Sequence, residues 1–387
     1  MSVQQIAAAA ADPLFEGPRI TRFRYEWLGP VIDDFGEVVR EAVLGEIEGV
    51  ESCDLEWKLT SAVKGGGTLT LRSFDESAAV DWLNHRIKPY IVLEDDAGQV
   101  LEYPLGVFVP TTPAEKWTST GRVWDVELLD KNTLLNQDIA TDANGNPVSY
   151  SLGVGTNVVQ AVADLIAMVN EGSSVLIEPS DKVLSQEMVW DIGTPLLQII
   201  NNILSAADYD SLWCDHQGRY RTAPYVEPQA RAVAYSERTP FEPGDGCVRT
   251  AEWTLDRDIY EVPNRMVAVS TATEEQEALI AVVVDQNPDS PFSYQSRGRW
   301  ISVVDTDVDV VDMTALQAYA KRRMTMLTST AASASISHLW LPDVVIGAVV
   351  RLVDPRAGID SVFEVRETKM SLDPLALVTS VIEEVVQ

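Results

Sequence analysis

Little in this chain invites covalent or metal chemistry. Three cysteines occur in 387 residues, Cys53, Cys214 and Cys247. They are too few and too scattered for a disulfide framework, or for the closely spaced ligand pairs of a structural zinc site. They are expected to be buried free thiols in a protein made in a reducing cytoplasm. Histidine is as scarce, with His85, His216 and His338 alone. No G-x-S-x-G elbow accompanies them, so a Ser-His-Asp hydrolase has no visible nucleophile. His216 falls in a predicted turn and is expected to be solvated. No stretch approaches the ~18 apolar residues of a membrane span. The first residues, MSVQQIAAAAADPLFEG, lack the basic region of a secretory signal. Release by lysis, as part of a particle, fits these features.

Positive charge is also short. Lys and Arg number 29 against 59 Asp and Glu, a formal net charge of −30. That balance disfavours stable nucleic-acid binding, which needs clustered cations, and disfavours docking on an anionic membrane. The densest basic run, Lys321-Arg322-Arg323, is expected near a helix C-terminus, where it complements the dipole. Asp305-Thr306-Asp307-Val308-Asp309 begins like a calcium loop. Val310 and Leu316 stand where the loop needs Gly and Glu, so the stretch reads as a strand end with one acidic face. Asp142, Asn144 and Asn146 fail the same test because Pro147 takes the glycine position, and a hairpin tip is expected there. With so many acids, carboxylate pairs for glycosidase chemistry are available everywhere and marked out nowhere. No catalytic residue, cofactor site or metal site is assigned.

What is abundant is material for packed cores: 46% hydrophobic residues and ten tryptophans. The length suits two to four domains. Up to about residue 136 short alternating runs predict strands at 22–28 (ending at Gly29-Pro30), 56–60, 68–72, 90–94, 100–103, 105–109 and 123–129. Gly65-Gly66-Gly67 reads as a break. Ser73-Phe74-Asp75-Glu76 fits a capping box opening a helix through Trp82 and Leu83, limited by Pro89. Asp95-Asp96-Ala97-Gly98 is a hairpin signal. Strands of this length suggest a small barrel or sandwich.

From 137 to 228 the pattern is mixed. Thr156 is placed to cap a helix whose Val158, Val162, Leu165, Ile166 and Val169 share a face, with Gly172 beyond its end. Thr194 and Pro195 open a second helix with an apolar stripe of Leu196, Leu197, Ile200, Ile203 and Leu204. Gln198, Asn201, Asn202 and Ser205 lie opposite. Leu212 and Trp213 then lead into Asp215-His216-Gln217-Gly218, and Arg219-Tyr220-Arg221 leave it, a hairpin in which Gly218 supplies positive φ. Residues 227–246 are polar and proline-bearing, as at a domain junction. Further strands are predicted at 252–255, 265–270, 279–284, 300–304, 333–341, 348–353, 363–369 and 377–382. A helix capped by Asp312 spans 313–327, with Leu316, Tyr319, Ala320 and Leu327 inward. Trp27, Trp57, Trp82, Trp190 and Trp213 sit in apolar patterns and are expected in cores.

Several of these segments resemble, in order, the hub proteins at the tip of tailed-bacteriophage tails. The N-terminal part carries W-L-x-x-R-I-x-P-Y (Trp82 to Tyr90), P-L-G-V-F (Pro104 to Phe108) and L-L-D-K-x-x-x-L (Leu128 to Leu135). The middle carries the D-x-x-G-R hairpin (Asp215 to Arg219). The C-terminal part carries P-D-x-x-I-G (Pro342 to Gly347), D-P-x-x-G (Asp354 to Gly358) and L-D-P (Leu372 to Pro374). Ile346-Gly347-Ala348 replaces the commoner Gly-Asp ahead of a strand. The resemblance implies an α+β, β-rich fold with two small β-barrel-like domains, 1–136 and 229–387, and a mixed α/β domain, 137–228, between them. It further implies a non-enzymatic hub in the virion tail tip, assembled in the host cytoplasm as a homotrimeric ring. Expected partners are the distal tail protein, the tail tube protein, the tape measure protein and tip fibre or spike proteins. DNA passes through such a ring, and Asp305, Asp307 and Asp309 are candidates for an acidic channel lining that repels phosphate. The alternatives are a tail-associated cell-wall hydrolase and a carbohydrate-binding tip adhesin.

Overall fold

Strand outweighs helix, 47% to 16%, as the period-2 patterning requires. A computed structural model describes residues 19–32, 38–73, 80–142, 144–171, 174–234, 241–244, 247–256, 260–271, 278–308, 310, 313–328 and 332–385. In chain order the first strands are β1 (Arg19–Ile32), β2 (Val38–Glu46), β3 (Val50–Lys58), β4 (Gly65–Ser73), β5 (Arg86–Asp95), β6 (Val100–Pro104), β7 (Phe108–Thr118) and β8 (Gly121–Asp130). The mixed stretch follows with α1 (Asn132–Gln137), β9 (Tyr150–Leu152), α2 (Val158–Met168), β10 (Met188–Trp190), α3 (Leu196–Ala206), β11 (Trp213–Cys214) and β12 (Tyr220–Arg221). Then come α4 (Pro228–Ala234), β13 (Arg249–Asp256), β14 (Arg265–Ser270), β15 (Ile280–Val284), α5 (Tyr294–Arg297), β16 (Ser302–Val308), α6 (Met313–Thr328), β17 (Ser333–His338), β18 (Val349–Asp354), β19 (Ile359–Ser371) and β20 (Val378–Glu384).

The chain folds as two units: residues 1–226 with 339–346 and 367–379, and residues 227–338 with 347–366 and 380–387. In the first, the antiparallel order is β3-β4-β8-β7-β5-β1-β2, with β6 on β5 and residues 367–371 of β19 on β3. Among the described residues these ladders form an open path. Along β5, Ile87, Ile91 and Leu93 are fully buried on alternate positions, the one-sided burial that antiparallel sheets favour. A second core gathers Val158, Val162, Leu165 and Ile166 of α2 with Leu196, Leu197, Ile200, Ile203 and Leu204 of α3, and Ile199 joins them.

Tertiary pairing moved several predicted boundaries. The strand predicted to stop at Gly29-Pro30 continues to Ile32. Pro89 lies inside β5, its carbonyl accepting the Leu105 N–H (2.9 Å). Strand β7 begins at Phe108, not 105. Trp82, Leu83 and Asn84 form a turn and not a helix, and Leu83 is exposed; residues 74–79 of that predicted helix lie outside the described residues, as does Gly172. Asn157, not Thr156, caps α2, its side chain accepting the Gln160 N–H. Pro195 holds the N-cap position of α3, and the Thr194 hydroxyl instead donates to the Asp191 carbonyl (2.9 Å).

The glycine run is the sharpest correction. Gly65-Gly66-Gly67 opens β4 instead of breaking the chain. A Cβ on Gly67 would meet the Asp54 carbonyl oxygen of β3 at 2.0 Å, and one on Gly66 would meet the Leu128 carbonyl oxygen of β8 at 3.0 Å. The glycines let three backbones approach where a side chain would separate them.

The second unit holds two sheets. One has the order β13-β17-β20-β19 with β18 on β19. The other has the order β15-β14-β16, in which β14 and β16 are parallel, and α6 covers one of its faces. Leu316, Ala320 and Met324 of α6 bury against Met266, Ala268 and Ala281, with Tyr319 and Leu327 packed alongside.

Gly67→Ala is expected to cost about 1–3 kcal/mol, the usual range for overpacking. Gly153→Ala, with nothing within 4 Å of the new Cβ, should leave the melting temperature unchanged. Thermal denaturation of both variants checks the difference.

Candidate functional site

Four charged side chains from distant stretches meet inside the first unit: Glu41 of β2, Arg86 at the start of β5, Lys131 between β8 and α1, and Glu171 after α2. The Lys131 ammonium, fully buried, lies 2.7 Å from Glu41 Oε1 and 2.7 Å from Glu171 Oε2. It also donates to Ser174 Oγ (2.9 Å). The Arg86 guanidinium pairs with both Glu41 and Glu171. Tyr220 of β12 closes the cluster: its ring lies 5.1 Å from Lys131 Nζ, and its hydroxyl donates to the Lys131 carbonyl (2.9 Å). Two cations and two anions sum to zero, which is what makes their burial tolerable. Burial works against the Arg86 charge, yet the Glu171 and Glu41 carboxylates outweigh it and hold its pKa above the ordinary value. Burial likewise opposes the Glu171 charge, and Arg86 and Lys131 overcome it, holding that carboxyl below its usual range.

The residues flanking Lys131 extend the junction. Asp130 accepts the Gly65 N–H (2.6 Å) and the Asn132 N–H (2.9 Å). Burial nevertheless pushes its pKa up to about 6. The Asn132 amide donates to the carbonyls of Ala62 (3.3 Å) and Leu212 (3.2 Å), and the Cys214 thiol donates to Asn132 Oδ1 (3.7 Å). Desolvation raises the pKa of that thiol, which disfavours the thiolate a nucleophile needs.

The hairpin at 213–221 is built by Asp215, whose carboxylate accepts the N–H groups of Gln217 and Arg219 (2.9 Å each) and pairs with the Arg219 guanidinium (2.8 Å). Gly218 is required twice over. Its φ is 78°, and an added Cβ would strike the Val107 side chain at 2.6 Å. Lys88 Nζ donates to Gln217 Oε1 (2.7 Å). His216, expected in solvent, instead sets its ring edge-on to Tyr103, with centroids 5.1 Å apart. Burial lowers its pKa to about 4.

Three of the segments singled out in the sequence therefore converge: Arg86 from W-L-x-x-R-I-x-P-Y, Asp130 to Leu135, and the hairpin from Asp215. No protein-family model and no curated protein sequence matches the chain. Solved structures do. A tail protein from Neisseria meningitidis superposes with a TM-score of 0.61 at 14% identity, covering 94% of this chain and 96% of that one. The 43 kDa tail protein of prophage MuSo2 from Shewanella oneidensis gives 0.58 at 11% identity, covering 94% and 98%. A chain of the Francisella PdpA–VgrG complex gives 0.56 at 11% identity, covering 99% of this chain and 55% of that one. The chain has the phage tail-protein fold. The tail-hub resemblance of its sequence thus holds at the level of fold.

Elsewhere in this tail-protein fold the predicted site residues are dispersed. Asp305 of β16 is half-buried and accepts from the Tyr319 hydroxyl (2.8 Å) and Arg323 Nε (3.1 Å) of α6. Asp307 is exposed with φ 59°, and Asp309, like the capping Asp312, lies outside the described residues. The basic run 321–323 does not serve the C-terminus of α6, because the helix continues to Thr328 with no basic residue in its last turn; Arg323 pairs with Asp305 instead. His338 shares a 3.0 Å hydrogen bond with Ser380, but both are buried, so no substrate carbonyl can reach the Ser380 hydroxyl. In the D-P-x-x-G turn Asp354 is buried, accepting from Trp253 Nε1 (2.8 Å) and pairing with Arg249 (3.2 Å) and Arg356 (2.7 Å). Among the described residues no group of three or more His, Cys, Asp or Glu side chains is placed to hold a metal ion, and no helix is long and apolar enough to cross a membrane.

Sequence reasoning missed the four-charge cluster because charged residues default to the surface; only the oddity of Lys131 beside Asp130 at the end of an apolar strand hinted at it. Glu171→Gln leaves two buried cations facing one anion and is expected to cost about 3–5 kcal/mol in urea denaturation. The contribution of the Glu171 carboxylate is present above its unfolded pKa and is lost as pH falls through its lower folded value. For His216 the unfolded ring takes up a proton near pH 6.5 and the folded ring only near 4. Stability should therefore fall as pH drops across that window. His216→Phe should flatten that part of the profile, and melting temperatures between pH 7 and 4 test it.

Proposed function

We propose that this chain is a non-enzymatic structural hub in the tail tip of a phage or phage-derived particle. The observation that carries the reading is the end-to-end agreement with phage tail proteins, 94% of this chain against 96% of the Neisseria protein. That fold accounts for nearly the whole sequence given, and the buried polar chemistry inside it serves joints between elements. On this reading the sheets curl into two barrel-like modules, 1–136 and 229–387, with the mixed segment 137–228 between them. Three copies then close into a ring that matches a sixfold tube to a threefold tip. The ring meets the tube, distal tail, tape measure and tip fibre or spike proteins and leaves a channel for DNA. Of the two described candidates for the channel lining, Asp307 is exposed, whereas Arg323 offsets Asp305.

Two alternatives fare less well. The hydrolase lacks an accessible nucleophile–base pair at Ser380 and His338. The adhesin calls for several exposed tryptophans, and of the ten only Trp117 and Trp300 are exposed. Electron microscopy of particles carrying a labelled copy of the chain should place the label, three per particle, at the tail tip. Label along the tube or at the head, or clearing of cell-wall substrate by the purified chain, would overturn the hub reading.

A further inference from the structure

One turn of the first unit carries chemistry that its role as a hairpin tip does not use. Asn144-Gly145 is the one Asn-Gly step in the chain. It stands at a tip closed by the bridge between Thr141 and Pro147, and both of its residues are exposed. An asparagine side-chain amide is open to attack by the backbone nitrogen of the residue that follows it. Glycine hinders that attack least, because it has no Cβ and turns freely. Asn146, two positions on, is spared because Pro147 has no N–H to lose.

The reaction needs only hydroxide and water. Hydroxide takes the Gly145 amide proton, the nitrogen bonds to Asn144 Cγ, and the Cγ–Nδ2 bond breaks. Ammonia leaves with a proton from water, which restores the hydroxide, and a five-membered succinimide remains. Water then adds to one of the two ring carbonyls and opens the ring to aspartate or isoaspartate at position 144. Nothing is oxidised or reduced.

The fold opposes these steps through one residue. The Gly145 N–H donates to the Asp142 carbonyl (2.9 Å). That bond stabilises the proton that must leave, and it must break before the nitrogen swings onto Cγ. The Asp142 carboxylate accepts the N–H groups of Asn144 (2.8 Å) and Asn146 (2.9 Å) and the Asn146 side-chain amide (3.1 Å). The Asn146 N–H first, then its amide and the Asn144 N–H, hold the Asp142 carboxyl below its ordinary range. It is therefore ionised at neutral pH, where it repels the negative charge that grows on the Gly145 nitrogen and on the attacked amide oxygen. The Asp142 N–H in turn donates to the Asn146 carbonyl (2.9 Å), so the backbone on both sides of the reactive step is tied down.

We infer that Asn144 is a latent deamidation site and that Asp142 holds it in check, its carbonyl on the Gly145 N–H and its carboxylate on the Asn144 and Asn146 N–H groups. Deamidation would set a new negative charge beside Asp142, on a chain that already carries −30, and like charges so close would loosen the tip.

The test uses the full chain. Wild type and Asp142→Ala are incubated at mildly alkaline pH, and wild type is also incubated unfolded in urea. Mass spectrometry of the peptide carrying position 144 follows the conversion of amide to acid, and circular dichroism confirms that the variant is folded. The folded variant and the urea-unfolded wild type are each expected to deamidate about tenfold faster than native wild type, the factor that one charge-assisted hydrogen bond supplies. If Asp142→Ala fails to fold, Asp142→Asn, which keeps an acceptor oxygen without the charge, takes its place and should still outpace native wild type. A folded variant as slow as native wild type, or a native wild type as fast as the unfolded chain, would overturn the inference.

Discussion

A charge moved out of water must find its opposite, and in the first unit four of them do so at one point. Lys131 is fully buried, so its ammonium depends wholly on Glu41, Glu171 and Ser174. Those groups come from a strand edge and from the exit of a helix, and Arg86 binds the same two carboxylates from a third strand. Removing any one of the four leaves an uncompensated charge in a low-dielectric interior. The cluster therefore demands that β2, β5, the end of β8 and the exit of α2 arrive together. Tyr220 adds the hairpin to the same junction through its bond to the Lys131 carbonyl.

The second unit uses a related device at its own turn. Asp354 ends β18, and Arg249, Arg356 and Trp253 all point at its carboxylate. The Arg356 bond first, and then that of Trp253, hold its pKa far below the ordinary value. In both units polar groups sit where strands must turn or join, and apolar groups fill the sheets between. Such joints fix direction more sharply than apolar contact does, because hydrogen bonds and ion pairs are directional and hydrophobic burial is not.

Much of the strand content was legible because alternation is a local property. The period-2 runs at 265–270 and 123–129 correspond to β14 and lie within β8. The stripe of α3 was legible for the same reason, and the Asp215–Gly218 turn followed from turn chemistry alone. The misreadings share one cause. Gly65-Gly66-Gly67 looked like a break because nothing nearby in sequence reveals that Asp54 and Leu128 crowd its two sides. His216 looked solvated because Tyr103 lies more than a hundred positions away. The basic run in α6 looked like a dipole partner because Asp305, its true partner, belongs to another element.

The β-rich character and the places where the chain turns were legible in the order of residues, since each rests on propensity and pattern within a few positions. Only the folded chain reveals which charges are buried, which glycines are indispensable, and which face of the β14–β16 sheet α6 covers. Those properties depend on groups far apart along the chain meeting at distances of a few ångströms, and one chain read in order carries no measure of that separation.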